Sequence, residues 1–229
     1  MEQLQNGFTL ELCQGAFPLS TDSVALAGFI RLEKNASVLD LGAGCGTLGL
    51  MLCAADPNCR VTGVELDPNA HRMAQHNGQV NGIESRFHSI CADLRTIPSL
   101  FQPGSFHCCV SNPPYYAAGP QSKSHPTARR EDTCSLADVF GAAAWALKYG
   151  GDFFLVHKPE RLAEICALGT QHCLEPKRLL LLRHRTDGPI GLVLVQCRKG
   201  AKPGLVIEEE SLHTPDGNMT DYYRTLYHI

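Results

Sequence analysis

The sequence lacks several features that mark other classes of protein. It contains no apolar run of about 20 residues, the length that a membrane-spanning helix needs, and no basic stretch followed by an apolar run near its N-terminus. Internal repeats and low-complexity tracts are absent as well. These absences argue against a helical membrane protein, a secreted precursor and a repeat protein, and we expect a cytoplasmic protein.

A strong net charge is also missing. The formal net charge is −3 and the pI is about 6.3, so the whole molecule gives no electrostatic signal for nucleic acid. A site for a polyanion would have to be local, and three basic segments could supply one: 123–130, 183–185 and 198–202. Segments of this kind more often form solvated faces.

Cysteines are plentiful but lack the spacing of a metal site. None of the eleven forms a Cys-x-x-Cys pair, and four lie within apolar runs: Cys53, Cys91, Cys108 and Cys109. We interpret them as small core residues of a protein in a reducing compartment, and we predict no metal. A zinc site assembled from cysteines that are distant in sequence stays open as an alternative.

The apolar pattern predicts a sheet covered by helices. The chain has 229 residues, 44% of them hydrophobic, which is enough for one large core. Strand-like apolar runs alternate with segments of helical length, as in a parallel sheet. The predicted parallel strands are 37–41, 60–65, a strand ending near residue 93, 106–111 and 152–157, and the predicted helices are 48–55, 69–81, 136–148 and 159–169.

Two further predicted strands, 178–183 and 191–198, complete the sheet. They are separated by Asp187-Gly188-Pro189, which is too short for a crossover helix. We therefore expect an α/β fold with a Rossmann-like, mostly parallel seven-stranded sheet that ends in an antiparallel hairpin. The expected organisation is a single domain, 1–229, with an N-terminal extension 1–36, a core 37–199 and a C-terminal tail 200–229.

A glycine-rich turn joins the first predicted strand to the first predicted helix. Asp40 precedes Gly42, Gly44 and Gly46, and glycines let the backbone approach a ligand at a helix N-terminus. The spacing is G-x-G-x-G, unlike the G-x-G-x-x-G of a pyrophosphate binder. The acid before the glycines suits a ligand with a positive amino group. A purely structural tight turn is the alternative.

Acidic residues also end the next two predicted strands. Ligands of open α/β sheets lie beyond the carboxyl ends of the strands, where Glu65 would accept from the ribose hydroxyls of a nucleoside cofactor. Asp93 would accept from the amine of the cofactor's adenine, although a helix N-cap is an equal interpretation. Leu66 and Leu94 follow these acids and complete the predicted cofactor contacts.

The fourth predicted strand ends in Asn112-Pro113-Pro114-Tyr115. A proline-stiffened loop would explain the prolines but not the residues on either side of them. The side-chain oxygen of Asn112 and the carbonyl of Pro113 can accept from both N–H bonds of a planar amine and direct its nitrogen at a methyl donor. Tyr115 offers a flat face on which an extruded base can stack. Asn112 therefore belongs to both the catalytic and the cofactor-binding predictions.

Together, segments 40–46 and 112–115 resemble the class I S-adenosylmethionine-dependent amino-methyltransferases. That resemblance implies S-adenosylmethionine as the cofactor and a nitrogen as the methyl acceptor. It does not choose among adenine, guanine and glutamine substrates, because an amide and an aromatic amine share the same planar geometry.

The sequence also resembles the bacterial valine-tRNA adenine N6-methyltransferases, most clearly in three other segments: 15–27, 128–131 and 156–165. This resemblance covers nearly the whole chain. This second resemblance implies methylation of the exocyclic N6 amine of an adenine in tRNA. It also implies a lid over the cofactor and a basic loop near the RNA. The implied lid residues are Phe17 and Asp22, and the implied RNA-binding residues are Tyr116, Lys123, Arg129 and Arg130.

Other functions stay as alternatives. A release-factor glutamine N5-methyltransferase normally carries an N-terminal domain that about 36 residues cannot build. Another RNA or DNA base methyltransferase is possible on the same motif. A nicotinamide-dependent oxidoreductase conflicts with the glycine spacing, and a cofactor-binding RNA scaffold without activity would have to keep an intact site idle.

Overall fold

The computed structural model describes residues 1–13, 19–113, 115 and 134–228. The strands are β1 (Glu2–Gln3), β2 (Thr9–Leu10), β3 (Ser37–Leu41), β4 (Arg60–Glu65), β5 (Phe87–Cys91), β6 (Phe106–Ser111), β7 (Leu147–His157), β8 (Leu174–Arg185), β9 (Ile190–Lys199) and β10 (Val206–His213). The α-helices are α1 (Thr21–Phe29), α2 (Thr47–Ala55), α3 (Pro68–Val80), α4 (Ile97–Leu100), α5 (Leu136–Ala146), α6 (Leu162–Gln171) and α7 (Asp221–Tyr227).

The central sheet has the strand order β10-β8-β9-β7-β6-β3-β4-β5. Strands β3 to β7 run parallel to one another, β9 is antiparallel to both β7 and β8, and β10 is parallel to β8. The chain order reverses at β3, which pairs with β4 on one side and β6 on the other. Ligands of such sheets bind at this reversal, beyond the carboxyl ends of the strands.

Two apolar clusters cover the faces of the sheet. Successive strand residues point to opposite faces, so Val38 and Phe154 join one cluster, while Leu39 and Phe153 join the other. Helices α1, α2, α3 and α7 contribute to the first cluster and α4, α5 and α6 to the second. Complete burial of a side chain such as Phe153 contributes about 1.5–3 kcal/mol. Among the described residues, no helix is long and apolar enough to cross a membrane.

The structure confirms the predicted α/β fold and the antiparallel hairpin. Strands β3, β4 and β6 have the predicted bounds. The prediction of seven strands was wrong, because β10 in the tail pairs with β8 and makes an eighth. This edge strand carries three consecutive acids, 208–210, and most of it is exposed, so it has no alternating apolar pattern.

The expectations for the cysteines and for one helix end also need correction. All eleven cysteines lie in the described part of the chain and are free thiols. Cys53, Cys108 and Cys109 are buried as expected, but Cys91 is exposed because it ends the edge strand β5. Lys148 was expected in a helix but lies in β7, since α5 stops at Ala146.

The N-terminal segment is tied to α3 by two asparagines. Asn81 Oδ1 accepts from the backbone N of Thr9 at 2.8 Å, and Asn77 Oδ1 accepts from the backbone N of Glu11 at 2.9 Å. Asn77 Nδ2 donates to the carbonyls of Glu11 (2.8 Å) and Cys45 (2.9 Å). Because Cys45 lies in the glycine-rich turn, buried Asn77 connects that turn to the N-terminal segment.

Candidate active site

The glycine-rich turn leaves the carboxyl end of β3 and enters α2. All three predicted glycines have positive φ angles: 78° at Gly42, 56° at Gly44 and 86° at Gly46. A Cβ atom on Gly46 would lie 2.7 Å from Cζ of Phe87, so only glycine fits there. A Cβ atom on Gly44 would meet no described atom within 4 Å. Gly44 therefore faces open space at the point where a ligand is expected.

Asp40 is a buried acid beside this turn. The residue is 2% exposed, and its Oδ2 has no hydrogen-bond partner within the residues that the structure describes. Burial, and then the charge of Glu65, raise the pKa of the Asp40 carboxyl from 3.8 to about 7. A buried carboxylate is stable only with a compensating charge. An unsatisfied acceptor at this position fits a ligand with an amino cation, such as the expected cofactor.

Glu65, at the end of β4, reaches the same turn. Its Oε2 accepts from the backbone N of Gly44 at 2.8 Å, and its Oε1 accepts from the backbone N of Asp67 at 2.8 Å. These bonds hold the carboxylate beside the predicted cofactor site, and each oxygen keeps a further lone pair. The adjacent Leu66 is 46% exposed, which leaves its side chain accessible to a ligand. The ribose contact of Glu65 stays a prediction.

Asp93 follows β5 and caps the short 3₁₀ helix Leu94–Thr96. Its Oδ1 accepts from the backbone N of Arg95 at 2.9 Å, and the Arg95 guanidinium beside it holds the pKa of the Asp93 carboxyl below its usual value. The structure thus supports the N-cap interpretation. The side chain of Leu94 is half-buried against the second apolar cluster. Adenine contacts by Asp93 and Leu94 stay predictions.

Asn112 and Tyr115, predicted as catalytic, lie together beyond β6. The Nδ2 of Asn112 donates to Oγ of Ser23 at 3.1 Å, and its Oδ1 lies 3.0 Å from the hydroxyl oxygen of Tyr115. That hydroxyl also lies 2.5 Å from Oδ2 of Asp22. Pro113 between them is buried. The first turn of α1 therefore contacts the predicted catalytic motif directly.

A hydrogen bond joins the catalytic motif to the cofactor side of the site. Ser111, the last residue of β6, is fully buried, and its Oγ donates to the carbonyl of Leu41 at 2.8 Å. Leu41 ends β3 and directly precedes the glycine-rich turn. The two predicted motifs, 70 residues apart at this contact, are thereby fixed side by side.

His157 and Lys158 pack against the ring of Tyr115. The ring centroids of Tyr115 and His157 are 5.1 Å apart, and Lys158 Nζ lies 5.3 Å from the Tyr115 centroid. His157 Nδ1 accepts from the backbone N of Lys158, so its proton is on Nε2. Burial, and then the charge of Arg161, lower the pKa of His157 to about 4 and keep the ring neutral.

The sequence did not single out His157, Ser23 or Asn77. Only the position of His157 at the end of the strand next to β6 could have indicated a role, because that strand end borders the catalytic motif. Ser23 lies in the first turn of α1, directly after its N-cap region at Ser20, and no motif marked it as a site residue. Asn77 lies in α3, and no sequence motif marks this residue.

Several predicted residues lie outside the described ranges: Phe17, Tyr116, Lys123, Arg129 and Arg130. Asp22, implied as a lid residue, contacts Tyr115, and its role in a lid stays a prediction. The arginines of the basic segments 183–185 and 198–202 form ion pairs with acidic residues. The pairs are Arg183–Glu209, Arg185–Asp187 and Arg198–Asp152.

Comparison with known proteins identifies the family of this site. The model of the methyltransferase small domain matches residues 20–166, which include the glycine-rich turn and the catalytic motif. The chain belongs to the methyltransferase small domain family. Its predicted class I methyltransferase fold and its cofactor, S-adenosylmethionine, are confirmed.

Several relatives carry the name tRNA1(Val) (adenine(37)-N6)-methyltransferase. The protein of Shewanella halifaxensis is 33% identical over 153 residues, which are 66% of this chain and 62% of the relative. The protein of Aeromonas hydrophila is 28% identical over 214 residues, 91% of this chain and 87% of the relative. The predicted resemblance to valine-tRNA adenine methyltransferases is confirmed.

A solved structure shows the same fold. It is described as a predicted O-methyltransferase from Agrobacterium tumefaciens, has a TM-score of 0.75 and is 20% identical in sequence. The match covers 91% of this chain and 96% of that one. The architecture of this chain is therefore shared well beyond the residues of the two motifs.

Proposed function

We propose that this chain transfers a methyl group from S-adenosylmethionine to the N6 amine of adenine 37 in a tRNA. The observation that carries the proposal is the arrangement of Asn112 and Tyr115 beside the glycine-rich turn, held there by Ser111 and Leu41. The names of the relatives support the choice of tRNA and of position 37.

The chemistry follows from the acceptors at the end of β6. An adenine amine is a poor nucleophile because its lone pair is delocalised into the ring. Asn112 Oδ1 and the carbonyl of Pro113 accept from its two N–H bonds and favour a more tetrahedral nitrogen. When bound, S-adenosylmethionine supplies an electrophilic methyl group. Methylation leaves that nitrogen cationic, so its proton passes to water without a strong base.

The ring of Tyr115 provides the platform for the extruded base. Stacking of a base on an aromatic ring is worth about 1–3 kcal/mol in other nucleic-acid sites. His157 and the ammonium of Lys158 contact this ring and hold it in place. A neutral imidazole adds no charge beside the cationic methyl donor, which suits the low pKa of His157.

Binding of the tRNA requires positive charge at a local site, since the net charge is −3. The arginines at 183, 185 and 198 are paired with acids. We therefore assign the phosphate contacts to Lys123, Arg129 and Arg130, with Tyr116 as a further RNA contact. A tRNA substrate also implies that the enzyme works in the cytoplasm.

The test is methyl transfer to an unmodified tRNA1(Val) transcript, followed by mass spectrometry of its nucleosides. We expect N6-methyladenosine with adenine at position 37 and no product when that position is guanine. A release-factor protein and a DNA duplex are assayed beside it. Methylation of glutamine in the release factor alone would contradict the proposed substrate, while leaving the chemistry of the site intact.

A further inference from the structure

Two acceptors share one proton at the hydroxyl of Tyr115. The hydroxyl oxygen lies 2.5 Å from Oδ2 of Asp22 and 3.0 Å from Oδ1 of Asn112. A tyrosine hydroxyl has a single proton to donate, and both of these oxygens can only accept. One of the two contacts therefore lacks a proton at any moment.

Charge and distance both favour Asp22 as the acceptor. A hydrogen bond from a hydroxyl to a carboxylate is shorter and about twice as strong as one to a neutral amide oxygen. The 2.5 Å separation lies in the range of such charge-assisted bonds, whereas 3.0 Å is long for an O–H donor. The proton of Tyr115 is then directed at Asp22.

Ser23 fixes the other end of the Asn112 amide. Ser23 is 8% exposed, and its Oγ accepts from Asn112 Nδ2 at 3.1 Å. This bond holds the amide with its nitrogen at Ser23 and its Oδ1 3.0 Å from the Tyr115 hydroxyl. Asp22 and Ser23 are consecutive residues in the first turn of α1, so one helix turn controls both the orientation of the amide and the direction of the hydroxyl proton.

We propose that Asp22 is a positioning residue that draws the Tyr115 proton away from Asn112 and so keeps Asn112 Oδ1 available to the N–H of the target amine. This inference rests on the proposed function, because an amine must be the methyl acceptor. Without Asp22, the Tyr115 hydroxyl donates to Asn112 Oδ1, takes up one of its two lone pairs and makes it a weaker acceptor for the amine.

The proposal predicts an unusual relation between two substitutions. Asp22→Ala lowers the single-turnover rate of methyl transfer to tRNA by about 10-fold to 100-fold, the effect of one strong hydrogen bond. Tyr115→Phe removes the competing proton. The double variant Asp22→Ala with Tyr115→Phe is therefore faster than Asp22→Ala alone, by about 5-fold or more. The KM for tRNA and the affinity for S-adenosylmethionine stay close to those of the wild type.

Control variants distinguish the proposed role of Asp22 from a merely structural one. An acid in the first turn of a helix also interacts favourably with the helix dipole, so Asp22→Ala could weaken α1. Asp221→Ala removes an acid from the first turn of α7 and serves as the matched variant. Thermal melting of every variant shows whether the fold is kept. A structural defect would not be relieved by Tyr115→Phe.

A spectroscopic readout separates this inference from the proposed function. A strong hydrogen bond between Tyr115 and Asp22 gives a far-downfield hydroxyl proton in NMR spectra of the wild type, and this signal disappears in Asp22→Ala and in Tyr115→Phe. A wild type that shows the signal but does not methylate tRNA contradicts the proposed substrate and leaves the hydrogen bond in place. Absence of the signal in the wild type, an unchanged rate for Asp22→Ala, or a double variant slower than Asp22→Ala overturns the inference.

Discussion

The carboxyl group of Asp40 lies in surroundings that oppose its ionisation. Burial and the neighbouring charge of Glu65 raise its pKa to about 7, and no described residue donates to its Oδ2. The folded protein without cofactor therefore holds more protons than the unfolded chain between pH 3.8 and about 7. Its stability falls as the pH rises through this window. A bound amino cation would reverse the preference of Asp40 for its protonated form and stabilise the ionised carboxylate.

Cofactor affinity should consequently depend on pH through Asp40. Below pH 7, binding must first remove the proton from Asp40, so affinity for S-adenosylmethionine falls by up to about tenfold for each pH unit. Asp40→Asn should bind more weakly, with a flat profile between about pH 5.5 and about pH 7. Calorimetry with both proteins over this range is the measurement. An equally steep profile for Asp40→Asn would assign the pH dependence to another group.

At the scale of elements, α1 and α3 complete a site that the strand ends begin. Helix α1 places Asp22 and Ser23 against the catalytic motif. Helix α3 connects the N-terminal segment to the glycine-rich turn through Asn77. We infer that the N-terminal segment and the turn are coupled in stability.

Asn77 and Asn81 provide a matched pair for testing this coupling. Asn77→Ala leaves the buried carbonyl of Cys45 and the backbone of Glu11 without these partners, at a cost of about 1–3 kcal/mol. It should reduce both the stability and the affinity for S-adenosylmethionine. Asn81→Ala removes the bonds to Thr9 and to the carbonyl of Asn77, none of which reaches the glycine-rich turn, and should reduce the stability alone. Chemical unfolding and calorimetry report the two quantities. Equal cofactor affinity in both variants would contradict the coupling.

The helices and strands also show which parts of the fold and of the site could be predicted from the sequence. Strands β3, β4 and β6 were predicted to the residue because buried parallel strands are continuous apolar runs. The glycine-rich turn, Glu65 and Asn112 could be predicted as site residues because each of them lies directly at or after a strand end. The hydrogen bonds of Asp22, Ser23 and Asn77 join residues that are 32 to 93 positions apart in the sequence. No local sequence pattern predicts such pairs. The edge strand β10 was missed because neither of its faces is consistently buried.

At the scale of the whole molecule, the cofactor residues and the catalytic motif lie along one edge of the sheet. The carboxyl ends of β3 and β4 carry Asp40 and Glu65, β6 leads into Asn112, and β7 ends at His157. From the order of the strands, we expect the cofactor on the β4 side of β3 and the target base on the β6 side. The central claim is that a methyl group passes from the cofactor to the target base at the carboxyl end of β3.

The most direct test is the single-turnover rate of Asn112→Ala on the tRNA1(Val) transcript, with the product identified as N6-methyladenosine by mass spectrometry. Loss of one of two preorganised acceptors should lower the rate by about 10² to 10³. The affinity for S-adenosylmethionine, measured by calorimetry, should change little, because we assign the cofactor's amino group to Asp40 and expect Asn112 to act in the chemical step. A wild-type rate for Asn112→Ala would contradict the account.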